Sequence, residues 1–318
     1  MMKIVVLDGF AENPGDLSWD ALRAFGDTEI YDRTPAELIL PRAAGAEIVV
    51  TNKTPLTAET LEKLPDVKFI ALLSTGSNVV DCAYARSRGI PVSNIPAYST
   101  ESVAQLVFAF ILEHTRKVAL HSVSVMRGDW AKCADFCYTL APLTDIRDKT
   151  IGIFGYGSIG RAVARIALAF GMRVLAHSRS HTSGSEGGVV FCDLDTLLRE
   201  SDFVTLHCPL TAETTGLADK AFFSKMKRTA IFINTSRGPV VNEKDLADAL
   251  NGGVIAGAGL DVLSSEPPHE DNPLFSAKNC YITPHVAWAS FETRGRLMDI
   301  FIGNIEAYLN GAPQNTVN

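Results

Sequence analysis

Short apolar runs rich in β-branched residues recur along the chain, separated by stretches where apolar residues return every three or four positions. Runs of the first kind suit strands buried on both faces of a parallel sheet, and the second kind suits helices that cover it. In the first third the strands are expected at Ile4–Leu7, Glu29–Tyr31, Glu47–Val50, Lys68–Leu72 and Pro91–Val92. From Lys149 onward they are expected at Thr150–Phe154, Arg173–Ala176, Val189–Phe191, Phe203–His207, Ala230–Asn234, Gly257–Asp261 and Tyr281–Thr283, with helical spacing at Arg161–Phe170, Leu194–Glu200 and Glu243–Asn251, and the polar, glycine-rich 181–188 is expected to be a mobile loop. This alternation predicts an α/β protein with two doubly wound parallel-sheet domains, one flavodoxin-like and one of Rossmann type.

Between the two series lies a strongly apolar helical stretch, Glu101–Lys117, which reads as a crossover. The irregular segment Gly128–Pro142 that follows carries Trp130, Phe136 and Tyr138, and this part of the chain, about 118–145, reads as an exposed arm that buries itself in a second copy. Ser290–Leu309 is one long amphipathic helix, expected to return to the first domain. The expected division is therefore 1–99 plus 290–318 for a substrate domain and 100–289 for a dinucleotide-binding domain.

Composition narrows the class. Of 318 residues 47% are hydrophobic and 20% charged, a globular balance that supports two sizeable cores. The net charge of −7 gives no footprint for nucleic acid or an anionic membrane. The longest fully apolar run, Leu106–Leu112, falls far short of the about 20 residues of a membrane span. The six cysteines show neither C-x-x-C nor paired metal spacing, so no metal site is expected. With no signal-peptide pattern at the start, the expected compartment is the cytoplasm.

The chain is organised around Lys149–Leu175, where a strand, a glycine turn and a helix follow one another. Gly155, Gly157 and Gly160 make G-x-G-x-x-G: the first for the tight turn, the second for close approach of pyrophosphate, the third for packing of helix on strand. The helix start then offers free amides to phosphate. The acidic residue that takes the adenine ribose is absent: the second strand runs into Ser178-Arg179-Ser180, with no carboxylate before Glu186. An arginine among small hydroxyls suits a 2′-phosphate and points to NADP(H), while an Arg179 that merely stacks on adenine leaves NAD(H) open.

Ligands in such sheets gather at the carboxyl ends of strands. In the first domain these ends offer the amides of Thr75 and Gly76, where the chain is expected to enter a helix through a glycine turn, and Lys53. Each has a plain alternative, an N-cap in one case and a solvated lysine in the other. In the second domain the ends carry Arg237, Asp261, Glu266 and His285. Hydride transfer to a 2-oxo acid needs a cation for the carboxylate, an acid for the new alkoxide and a group that tunes the acid. Arg237, His285 and Glu266 match those needs, a carboxylate beside the imidazole being expected to raise its pKa from roughly 6.5.

At these residues the chain resembles the D-isomer-specific 2-hydroxyacid dehydrogenases. The matching blocks are the glycine loop, His207-Cys208-Pro209-Leu210-Thr211, Asn234-Thr235-Ser236-Arg237-Gly238, and Gly259-Leu260-Asp261-Val262 leading to Glu266-Pro267 and Pro284-His285. The resemblance implies His285 as acid/base, Glu266 as its partner and Arg237 as substrate anchor. It further implies cofactor contacts from Tyr156, Ser158, Ile159, His207, Cys208, Pro209, Thr214, Thr235, Ser236, Asp261, His285 and Ala287, and a substrate contact from Trp288. Within the family, Asp8-Gly9, Thr51-Asn52-Lys53 and His285-Val286-Ala287-Trp288-Ala289-Ser290 are similar to glycerate dehydrogenases, also called hydroxypyruvate reductases. The implied activity is reduction of hydroxypyruvate, and of glyoxylate, to D-glycerate and glycolate by a cytoplasmic homodimer using NAD(P)H, NADPH before NADH. The alternatives are a dehydrogenase of another D-2-hydroxy acid and a non-enzymatic NAD(H)-sensing corepressor-like protein.

Overall fold

The computed structural model describes residues 1–179, 181 and 183–318, in two compact units. The first comprises Met1–Tyr98 and Ala289–Asn318, the second Ser99–Trp288. Ser180, expected at the ribose end of the cofactor, lies outside the described residues.

The first unit holds strands β1 (Lys3–Val6), β2 (Asp27–Ile30), β3 (Ile48–Thr51), β4 (Phe69–Leu72) and β5 (Val92–Ser93). They pair in parallel in the order β2-β1-β3-β4-β5, the flavodoxin-like order. β1, β3 and β4 are almost wholly buried, which accounts for their unbroken apolar runs. The helix Phe291–Leu309 packs on this sheet, stacking Tyr308 on Phe69 at 4.3 Å. The chain end then pairs beside β5, with Val317 N–H donating to Val92 O at 2.9 Å.

The second unit holds β6 (Thr150–Phe154), β7 (Arg173–His177), β8 (Gly184–Glu186), β9 (Val189–Phe191), β10 (Phe203–Leu206), β11 (Ile231–Asn234), β12 (Gly257–Leu260) and β13 (Cys280–Ile282). Their order is β13-β12-β11-β10-β6-β7-β9-β8. Alternate side chains serve opposite faces: Ile231 and Ile233 join a core with Phe108, Ile151 and Ile153, while Phe232 joins another with Leu197, Val204 and Phe223. The helix Thr100–Arg116 lies close against β12 because Gly259 leaves room for Phe110, whose ring atoms come within 2.5–2.9 Å of where a Cβ would stand.

The expected α/β class of two doubly wound sheets is borne out, with two local corrections. The polar stretch 181–188 reads in sequence as a mobile loop, yet Gly184–Glu186 forms β8, antiparallel to β9. Its polar residues fit an exposed edge strand, which needs no apolar face. After β4 the chain does not enter a helix at Gly76; it loops to Asp81, whose carboxylate caps the helix Cys82–Ser87 through Tyr84 N–H at 2.9 Å. Between the crossover helix, which ends where Lys117 turns into the left-handed region (φ 53°), and the Gly128–Pro142 segment lies a second helix, Val118–Met126.

Candidate active site

The glycine turn after β6 is built by close approaches. Gly155 has φ 99°, and a Cβ there would stand 2.6 Å from His207 O. At Gly160 a Cβ would stand 2.2 Å from Gly155 O, so the helix Ser158–Ala169 can begin this near the strand only without a side chain. A Cβ on Gly157 would meet nothing within 4 Å, and Gly157 as N-cap gives the helix no side-chain acceptor. The first-turn amides of Ser158 and Ile159 therefore face open space, as an anion site requires.

Beyond the turn, Tyr156 lies edge-on to Phe191 with the Arg161 guanidinium 4.5 Å from its ring centre, and Arg161 also meets Glu186 at 3.4 Å. At the end of β7, His177 Nδ1 faces Cys192 O at 3.0 Å, Ser178 bridges to His181, and Arg179 is exposed.

β10 and β11 pair through Leu206 and Asn234, so His207 and Thr235 emerge side by side. His207 Nε2 bonds Thr205 Oγ1 at 3.0 Å, and burial pushes the imidazole down to about 3, which keeps it neutral. Its Nδ1 and the Thr235 hydroxyl are buried without a hydrogen-bond partner. Burial also raises the Cys208 thiol, so it is not a thiolate. Pro209 O accepts from Thr214 Oγ1 at 2.7 Å, which folds the following loop back on itself.

The turn that presents Arg237 is held by Asn234, wholly buried at the end of β11. Its Oδ1 accepts from Ser236 N and Oγ at 3.0 and 2.8 Å, and its Nδ2 donates to Arg237 O at 3.0 Å. Arg237 is exposed and spends Nη1 on Ser236 O at 2.7 Å, leaving its other donors free for a carboxylate.

Asp261, at the end of β12 and 1% exposed, organises the loop carrying His285. Its carboxylate accepts from Thr283 Oγ1 at 2.5 Å, Val286 N at 2.9 Å and Ala287 N at 2.8 Å. Burial raises its pKa while these bonds oppose the rise. His285 N–H donates to Asp261 O at 2.8 Å, in the left-handed region at φ 55°. Its Nδ1 meets Glu266 Oε2 at 2.7 Å, and Leu263 N–H holds the other Glu266 oxygen at 3.2 Å. Since a carboxylate only accepts, Nδ1 carries a proton and Nε2 is left to act on a ligand. Trp288, half-buried, closes this loop.

In the first unit, Asp8 follows β1 and its carboxylate accepts from the amides of Asn52, Lys53 and Thr54 at 2.9, 2.6 and 2.8 Å. That locks the turn after β3 and leaves Lys53 exposed between buried neighbours. Thr75 Oγ1 donates to Ile95 O at 2.6 Å and Ser74 Oγ to Gly76 O at 2.8 Å, so the side chains of this loop are spent internally.

The family description "D-isomer specific 2-hydroxyacid dehydrogenase, NAD binding domain" matches residues 108–287. Hydroxypyruvate reductase of Blautia hydrogenotrophica is 49% identical over 321 residues, covering all of both chains. The chain belongs to the D-isomer-specific 2-hydroxyacid dehydrogenase family. Glycerate dehydrogenase of Methylorubrum extorquens is 44% identical over 89% of each dehydrogenase chain. Among solved structures, an acyclic imino acid reductase in complex with NADPH and D-Arg superposes over both full chains at TM-score 0.86 and 34% identity.

The residues of this dehydrogenase fit a nicotinamide dinucleotide: an open glycine cradle with uncapped amides, and beside it two buried polar atoms, His207 Nδ1 and Thr235 Oγ1, with no partner among the described residues. The second unit brings together His285, Glu266 and Asp261, and sets Arg237 on the neighbouring strand end. The carboxylate of Asp261 and the amide of Ala287 bond each other, so both are used in shaping the loop. Sequence reasoning missed Thr283 and Glu12, and singled out Asn234 and Asp8 only as parts of matching segments, with no role. For Asn234 the signal was available: a lone amide closing the apolar run Ala230–Ile233 has to be satisfied by the turn that follows.

Proposed function

We propose that this dehydrogenase reduces small 2-oxo acids, hydroxypyruvate first and glyoxylate second, to D-glycerate and glycolate. The observation that carries the reading is the His285–Glu266 pair at 2.7 Å with Arg237 on a rigid turn nearby, in a chain close in sequence to a hydroxypyruvate reductase. The bound nicotinamide supplies the hydride. Arg237 anchors the substrate carboxylate, His285 Nε2 delivers a proton to the carbonyl oxygen as it becomes an alkoxide, and Glu266 stabilises the imidazolium and fixes its orientation. In the reverse direction the same nitrogen removes the hydroxyl proton. Lys53, the Thr75 and Gly76 amides and Trp288 serve the substrate, and the first unit is the substrate domain.

NADPH is the preferred reductant in this reading. No carboxylate stands on the chain between β7 and Glu186, which meets Arg161 instead, while Ser178 and exposed Arg179 occupy the place of the ribose acid. The working form is a homodimer, in which a second copy covers the exposed Val118, Met126, Trp130 and Phe136. The free thiols among the described cysteines suit the reducing cytoplasm.

The test follows oxidation of NADPH and of NADH, separately, with hydroxypyruvate, glyoxylate, pyruvate and a branched 2-oxo acid. The expected result is the highest kcat/KM for hydroxypyruvate with NADPH. A branched acid turned over faster would overturn the small-substrate reading, and a preference for NADH would overturn the role of Arg179.

A further inference from the structure

Glu12 is fully buried, and Asn52 Nδ2 donates to its Oε1 at 2.5 Å, while Oε2 is enclosed without a partner among the described residues. Asn52 belongs to the turn whose three amides Asp8 holds, and its neighbour is Lys53. Three charged groups face this carboxyl, Asp8 after β1, Lys53 after β3 and Arg294 on the helix Phe291–Leu309, and Asp16 grips Arg294 at 2.7 and 2.6 Å. Arg294 also donates to the Glu12 carbonyl at 3.1 Å, which ties the Glu12 backbone to that helix.

Two cations and two anions balance at this end of the sheet when Glu12 is uncharged. An ionised Glu12 gives the group an excess negative charge beside the lysine that is meant for an anionic substrate. We propose that Glu12 is a positioning residue for the substrate-side cation: as a protonated carboxyl it anchors Asn52 and leaves Lys53 free to attract a 2-oxo acid carboxylate, and its ionisation withdraws that attraction. Burial pushes the Glu12 pKa up to about 8, so the protonated form is the one present at neutral pH. The inference rests on the reading of Lys53 as a substrate cation.

The experiment is the pH dependence of KM for hydroxypyruvate, from neutral to alkaline, in the wild type, Glu12→Gln and Lys53→Met. Glutamine keeps the acceptor for Asn52 and cannot ionise. Wild-type KM should rise about fivefold through the Glu12 titration, the scale of one added charge acting through largely aqueous surroundings, while kcat is much less affected. KM of Glu12→Gln should stay flat, and Lys53→Met should raise KM at neutral pH and flatten the rise. An equal rise in wild type and Glu12→Gln, with Lys53→Met impaired, overturns the role of Glu12 alone. A Lys53→Met enzyme with unchanged KM overturns the reading of Lys53 and the inference with it. Should Glu12→Gln not fold, the infrared carbonyl band of a protonated carboxyl decides: it is expected in the wild type at neutral pH and lost on alkalinisation, and its absence at neutral pH overturns the proposal.

Discussion

His285 holds its backbone at φ 55°, a region that costs a residue with a Cβ roughly 1–2 kcal/mol. The cost is offset by the bond from its amide to Asp261 O and by the three bonds that the Asp261 carboxylate accepts from the same loop. The imidazole is thereby aimed before any substrate arrives, and preorganisation of this kind is what makes a general acid efficient. His285→Gln should lower kcat at least about a hundredfold in the reductive direction. Dissociation of NADPH measured by fluorescence should change little by comparison. A near-normal kcat would remove His285 from the chemistry. The residue types were legible from sequence, because histidine, glutamate and arginine at successive strand ends match the needs of the reaction. The resemblance sets Asp261 near the nicotinamide and the catalytic His, and its hydrogen bonds go to the loop that carries His285. Those bonds could not be read along the chain, since Thr283, Val286 and Ala287 meet it only after β12 and β13 pair.

At the scale of elements, the strand–turn–helix unit from β6 to Ala169 was the most readable part of the chain. Gly160 is dictated by Gly155 in the same turn, and Gly155 by its positive φ and by His207 at the end of the neighbouring strand. Gly160→Ala would drive a methyl into Gly155 O, 2.2 Å from the added carbon, and must push the helix off the strand. Its expected effect is at least a tenfold rise in the Kd of NADPH, measured by calorimetry, with the far-UV spectrum of a folded protein. Binding within twofold of wild type would show that the turn tolerates the shift. Elements without such local logic were misread. The Cys82–Ser87 helix is capped by Asp81 rather than entered at Gly76, and β8 has the composition of a loop because an edge strand asks little of its side chains.

For the whole molecule, the feature still to be accounted for is the apolar surface of the segment after the crossover helix. Val118 is 64% exposed, Met126 84% and Phe136 88%, on a helix and arm with too few polar residues to suit water. Burial of such a surface between two copies would contribute about 25 cal/mol for each Å² of apolar area removed from solvent. Phe136→Asp combined with Met126→Lys should convert a dimer to a monomer in sedimentation velocity. A wild-type protein that sediments as a monomer at micromolar concentration would instead require another explanation for this patch.

Unbroken apolar runs alternating with period-3.6 stretches were enough to give the α/β class, because the strands of both sheets are buried on two faces. The glycine fingerprint and the strand-end residues were enough to give the chemistry, because each answers to neighbours close in sequence or to the demands of the reaction. What needed the folded chain was every relation between distant segments: the Asp8 carboxylate over the amides of Asn52, Lys53 and Thr54, the Asn52–Glu12 bond, the fork of Arg294 on Asp16, and Gly259 admitting Phe110. A buried carboxyl takes its charge state from what surrounds it in space, and along the chain Glu12 looks like any other glutamate in a polar loop.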